Sequence, residues 1–150
     1  MDDRAHGYGI YWYVDGSTYE GYWKADKQEG RGKETWPDKS FYVGEFMSGK
    51  KHGHGQFTWA DGACYDGQWR SSRMDGYGLF TWIDKRQYKG YYLEDRKHGY
   101  GKFFWPDGRI YEGEWDKGKQ HGMGKFTRKD GRVSYGRWED GHFKEKITQE

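Results

Sequence analysis

A single cysteine, Cys64, stands in a chain of 150 residues. It excludes an internal disulfide and suits a reducing compartment. No apolar run approaches the roughly 20 residues that cross a bilayer as a helix, and the polar opening MDDRAHGYG lacks the apolar segment of a secretory signal. The chain therefore reads as cytoplasmic and soluble. Neither sign of charge dominates: 26 Lys and Arg against 24 Asp and Glu leave a formal +2, with both signs interspersed, so no global field attracts nucleic acid. Hydrophobic residues are only 33% and mean hydropathy is −1.35, values that would fit disorder were 21% of the chain not aromatic. Leucine and isoleucine are scarce. Instead 9 Trp, 14 Tyr and 8 Phe carry the apolar area, which suits a thin structure that cannot bury its core completely.

What is present is a beat of 23 residues. Gly21, Gly44, Gly67, Gly90, Gly113 and Gly136 keep that spacing, each followed two residues later by an aromatic: Trp23, Phe46, Trp69, Tyr92, Trp115 and Trp138. The G-x-G pairs Gly7/Gly9, Gly30/Gly32, Gly53/Gly55, Gly76/Gly78, Gly99/Gly101 and Gly122/Gly124 form a second comb. Such a period marks a solenoid or array whose units are stable by stacking on neighbours. In the unit beginning at Tyr111, YEGEW alternates as a strand, with Tyr111, Gly113 and Trp115 on one face and Glu112 and Glu114 on the other. GMGKF opens a second strand in which Gly124 and Phe126 share a face. Asp130-Gly131 then supplies a turn, as do Asp15-Gly16, Asp61-Gly62 and Asp107-Gly108. Two strands and two connections use the whole repeat, so the expectation is an all-β, elongated, solenoid-like meander of antiparallel hairpins. The glycines are expected to let the rings of Trp115 and Phe126 lie flat across the backbone. The units are residues 19–41, 42–64, 65–87, 88–110 and 111–133, with a half-repeat at about 6–18 and a partial repeat or cap at 134–150. Because the chain opens and closes within a repeat, it is expected to be part of something longer.

The motif YEGEW-x-x-G-K-x-H-G-x-G at Tyr111–Gly124 resembles the membrane occupation and recognition nexus (MORN) repeat. Looser copies are YEGYWKADKQEGRG (Tyr19–Gly32), YVGEFMSGKKHGHG (Tyr42–Gly55), YDGQWRSSRMDGYG (Tyr65–Gly78) and YKGYYLEDRKHGYG (Tyr88–Gly101). The resemblance implies single-layer hairpin arrays that act as scaffolds at membranes and cytoskeletal structures, bind proteins in a groove and self-associate. Lipid binding gave the repeat its name. Such repeats also accompany lipid kinases and methyltransferases, leaving the reading of a regulatory part of a larger enzyme open. Some copies depart from the pattern. Glu34 replaces the aromatic seen at Phe57, Phe80, Phe103 and Phe126, and Arg128 stands where others have Trp36, Trp59, Trp82 and Trp105. Ser134 replaces the leading tyrosine. HFKEKITQE ends either as a short helix or frayed. Lys39 and Lys85 hold the glycine place of the Asp-Gly turn, which predicts a different turn type there.

No catalytic constellation, cofactor motif or metal set emerges. Cys64 reads as a buried filler, and no G-x-G opens a helix as a phosphate loop does. His6, His52, His98 and His121 share a position too widely spaced for a common metal and read as turn-capping residues. The partner-binding candidates are the rings Trp23, Tyr42, Phe46, Tyr65, Trp69, Tyr88, Tyr92, Tyr111 and Trp115, expected to exceed what a single layer can cover. Their partner is expected to be an apolar-faced helix or an extended segment. The rival reading is an anionic-phospholipid edge of Lys27, Lys50, Lys51, Arg73, Arg96, Lys97 and Lys119 in the loop between the two strands. Asp26, Glu94, Asp95 and Asp116 in the same loops oppose it. Homodimerisation through terminal strands or the aromatic face is a further expectation.

Overall fold

A computed structural model describes residues 6–147. Every element is a strand: β1 (Gly7–Trp12), β2 (Thr18–Lys24), β3 (Lys27–Thr35), β4 (Phe41–Met47), β5 (Lys50–Thr58), β6 (Cys64–Arg70), β7 (Arg73–Thr81), β8 (Gln87–Leu93), β9 (Arg96–Phe104), β10 (Ile110–Asp116), β11 (Lys119–Thr127), β12 (Val133–Glu139) and β13 (His142–Ile147). The chain divides into two compact units at Arg73/Met74. In the first, β1 to β6 pair antiparallel in chain order. In the second, β7 to β13 do the same. Both are open, solenoid-like meanders of hairpins. The segment HFKEKI is strand β13, not helix; the remaining residues of HFKEKITQE lie outside the described residues.

Register follows the glycines. Gly44 faces Gly55, Gly90 faces Gly101 and Gly113 faces Gly124, while Tyr42 faces Phe57, Tyr88 faces Phe103 and Tyr111 faces Phe126. The ring lying across each glycine pair is the tyrosine two residues ahead, not the later Trp or Phe. A Cβ added at Gly101 would collide with the Tyr88 ring and hydroxyl. The hydroxyls of Tyr19, Tyr42, Tyr65, Tyr88 and Tyr111 donate at 2.8–2.9 Å to the carbonyls three residues on. Tyr22, Glu45, Tyr91 and Glu114, which provide four of these carbonyls, are the residues skipped where the register shifts. All five tyrosines are 0% exposed. Trp69 and Trp115 stand edge-on to Tyr65 and Tyr111 and donate their indole N–H to the carbonyls of Gly55 and Gly101.

Two kinds of turn close the repeat. Within a repeat the strands meet at two residues with both φ positive, such as Ser48/Gly49 and Glu94/Asp95, the geometry that matches strand twist. The connection takes two residues, so Lys27, Lys50, Arg73, Arg96 and Lys119, expected in the loop, are the first residues of their strands. Between repeats, Asp15, Asp38, Asp61, Asp84, Asp107 and Asp130 each accept the backbone N–H two residues on. Lys39 (φ 75°) and Lys85 (φ 78°) adopt the same left-handed conformation as Gly62 and Gly108 and donate to the same carbonyl position. The turn type is thus retained. A carboxylate-capped loop forces lysine into a region that costs roughly 1 kcal/mol or more.

Tyr88→Phe is expected to cost about 1–2 kcal/mol by stranding a buried carbonyl. Gly101→Ala is expected to cost more, about 2–3 kcal/mol or above, because the ring has nowhere to move. Urea denaturation of the two variants checks the order; equal, negligible losses would contradict the packing described.

Candidate partner-binding face

One face of the meander carries the tyrosine and tryptophan layer, and a second row of rings lies along its turn side. In the second unit the row runs Phe80–Trp82–Phe103–Trp105–Phe126, with successive centroids 4.4, 5.4, 4.5 and 6.1 Å apart. In the first unit Trp36–Phe57–Trp59 repeats it at 5.4 and 4.6 Å. Except for buried Phe103 these rings are half-exposed. The row exists because the strand alternation carries past Phe103 to Trp105, and the Asp-capped turn holds the second ring beside the first.

The rings expected to meet a partner lie beneath this row. Tyr42, Tyr65, Tyr88 and Tyr111 are sealed, and Phe46, Trp69, Tyr92 and Trp115 are only 4–7% exposed; Trp23 alone is half-buried. The premise that a single layer cannot cover them fails because each tyrosine sinks onto a glycine pair, leaving room for the next ring to close over it. The position two residues after the repeat's phenylalanine, F-x-W, is the signal that marks the half-exposed tryptophans of this row.

Cations sit among the rings. The Lys51 ammonium lies 5.5–5.8 Å from the centroids of Trp36, Tyr42, Phe57 and Trp69. Two repeats on, Lys97 lies 5.3–6.0 Å from Trp82, Tyr88, Phe103 and Trp115. Burial, reinforced by Arg86, holds the Lys97 ammonium below the usual lysine range. Arg86 and Arg109 rest over Trp82 and Trp105 while pairing with Asp84 and Asp107. These contacts correct the basic edge. Lys51 and Lys97 point into the aromatic face, and only Lys27, Lys50, Arg73, Arg96 and Lys119 stay exposed.

At the place of Lys51 and Lys97 the repeat 19–41 has Gln28, whose amide bridges the Tyr13 hydroxyl and the Glu34 carboxylate at 3.3 Å. Glu34 occupies the phenylalanine position between Tyr19 and Tyr42. Burial raises its pKa, offset in part by the Gln28 hydrogen bond and the charge of Lys51. The histidines divide in role. His6 accepts the N–H of Ala25 in the following turn, as Glu29 accepts that of Ser48, whereas His98 pairs with Asp116 at 3.5 Å. Cys64 is half-buried, not buried, and its sulfur accepts from Gln56. Among the described residues no His, Cys, Asp and Glu cluster could hold a metal ion.

Hairpins repeating on one register beneath a surface of rings define an open, all-β repeat module. The chain belongs to the MORN repeat family, which matches residues 1–18, 19–41, 42–64, 65–85, 88–108 and 111–131. That family is associated with membrane and cytoskeletal settings. No curated protein sequence matches the chain. The fold is similar to the TCP domain of SAS-4 (dCPAP) of Drosophila melanogaster, solved in complex with a proline-rich motif of Ana2 (dSTIL). Identity is 14% and the TM-score 0.54, over 84% of this chain and 69% of that one. It is also similar to the wild-type TCP10 domain of Danio rerio CPAP, at 13% identity and TM-score 0.51, over 93% of this chain and 66% of that one.

The Glu34 carboxyl gives up its proton at lower pH unfolded than folded. Its contribution to stability is therefore complete below the unfolded value and is lost as pH rises through the raised folded value. Glu34→Gln is expected to gain stability relative to the parent across that interval, and Glu34→Phe to gain more by completing the ring row. Thermal unfolding between pH 4 and 8 checks this; parallel curves for parent and Glu34→Gln would refute it.

Proposed function

We propose that the chain is a cytoplasmic protein-binding scaffold module and that an extended segment of the partner lies along the outer ring row. The observation that carries this is the unbroken line Phe80–Trp82–Phe103–Trp105–Phe126, in which every ring but Phe103 is half-exposed over a filled core. The nine rings from Trp23 to Trp115 act as its foundation, with Trp23 also reaching the surface. Flat rings at regular intervals suit an extended chain, and proline-rich segments hold that form at little entropic cost. The proline-rich motif bound by the similar Drosophila domain supports this choice over a helix. Arginines stacked on Trp82 and Trp105 fix the ring planes and add donors for partner carbonyls.

A second reading is attachment to anionic phospholipid through Lys27, Lys50, Arg73, Arg96 and Lys119, favoured by their exposure at one repeat position. Homodimerisation is compatible with either.

An array of extended proline-rich and helical peptides, probed with the parent and with Trp82→Ala/Trp105→Ala, separates these readings. The double variant is expected to stay folded by circular dichroism and to lose about tenfold in affinity for extended segments. Retention of the same peptides at the same strength would overturn the groove. Flotation with anionic vesicles, lost on reversing Lys50 and Arg96 to Glu, would instead support the lipid reading.

A further inference from the structure

In the repeats that begin at Tyr19, Tyr42, Tyr88 and Tyr111 a tyrosine covers the glycine pair; after Thr127, Ser134 takes its place opposite Phe126. Three coupled changes accompany that loss. Arg128 replaces the outer tryptophan, Phe143 takes the position held by Lys51 and Lys97, and a smaller register shift sets Lys146, not glycine, opposite Gly136. Phe143 takes part of the space over Gly136 that a tyrosine would fill, and beside Ser134 a cavity of about 400 Å³ stays open, lined by Phe126, Arg128, Ser134, Trp138, Phe143 and Lys146. Trp138 forms its buried floor, edge-on to Tyr111 and to Phe143, and Phe143 leans over Gly136 while remaining 54% exposed.

The charge around this cavity has one sign. No carboxylate lines it, and neither Arg128 nor Lys146 has an ion-pair partner among the described residues. Nearby acids are already engaged: Asp130 with Arg132, Asp107 with Arg109 and Lys129, and Glu145 with Arg137. A neighbouring depression shares Phe126 and Arg128, so the cavity continues the outer ring row. Three rings beside two cations that have no ion-pair partner among the described residues match an apolar group that carries negative charge beside it.

We propose that this pocket is the anchor point of the partner segment, taking a phenylalanine-sized apolar side chain flanked by aspartate or glutamate. This deepens the extended-segment reading above and rests on it. The ring fills the place of the missing tyrosine, and the flanking carboxylate bridges the Arg128 guanidinium and the Lys146 ammonium. The pocket beside Ser134 therefore supplies specificity, while the ring row supplies general adhesion.

The test uses the full chain and three blocked peptides: Asp-Glu-Phe-Asp-Glu, its lysine counterpart Lys-Lys-Phe-Lys-Lys, and Asp-Glu-Ala-Asp-Glu. Millimolar titration is followed by NMR at the Trp138 indole. The acidic phenylalanine peptide is expected to shift that signal and the other two to leave it in place. Arg128→Glu/Lys146→Glu, both at the surface, is expected to weaken binding about tenfold or more, and Ser134→Tyr to abolish it by filling the cavity. No shift with the acidic peptide, equal binding of the lysine peptide, or undiminished binding by the charge-reversed variant would overturn the proposal. Tested on the same peptide array, Ser134→Tyr that keeps every extended segment lost by Trp82→Ala/Trp105→Ala would remove the anchor and leave the groove standing.

Discussion

A phenol ring laid across two facing glycines is the contact on which the rest of this protein is arranged. The ring needs both side chains absent, because a Cβ on either strand would occupy its place, and its hydroxyl needs the carbonyl of the residue skipped at the register shift. Glycine inside a strand costs stability in most proteins. Here the loss is offset by complete burial of a large ring with its polar atom satisfied, which raises the phenol pKa, to about 12 for Tyr19. The following Trp, Phe or Tyr then closes edge-on over the tyrosine, and a thin sheet acquires a dry interior.

That interior leaves a second tier of rings for the surface. Trp82 and Trp105 escape burial because they stand at the turn, beyond the glycine pair. Their companions are cations drawn from the same repeat, so the face is aromatic and positive at once. An aromatic surface covered by its own guanidinium groups is less prone to indiscriminate association than bare rings would be. Face and edge therefore differ in chemistry: stacked arginines and caged lysines on one, exposed lysines and arginines on the other.

The period, strand alternation and paired faces were legible in the sequence because glycine and aromatic spacing carry them directly. Tyr111 facing Phe126 needs only a two-residue alternation and a hairpin. The roles of individual rings were not legible, since Tyr88 and Trp105 are both aromatic and differ only in which stands over a glycine pair. The same holds for Lys97, whose place in the row of basic residues concealed a side chain that register turns to the opposite face. Lys39 and Lys85 misled because local preference disfavours their conformation, while the Asp38 and Asp84 caps and the flanking strands impose it. The open pocket beside Ser134 was visible as a broken pattern, but its charge depends on which acids already have partners.

Strands paired in chain order have a kinetic meaning as well. Within each unit the backbone ladders join consecutive strands, and ring contacts reach to the next repeat, as from Tyr19 to Phe46 or Tyr88 to Trp115. Loop closure is the slow step for most all-β proteins, whose partners lie far apart along the chain. This chain avoids that delay. A repeat leaving the ribosome already has its predecessor as a template, so folding can keep pace with synthesis, one strand added at a time to the growing edge of the sheet.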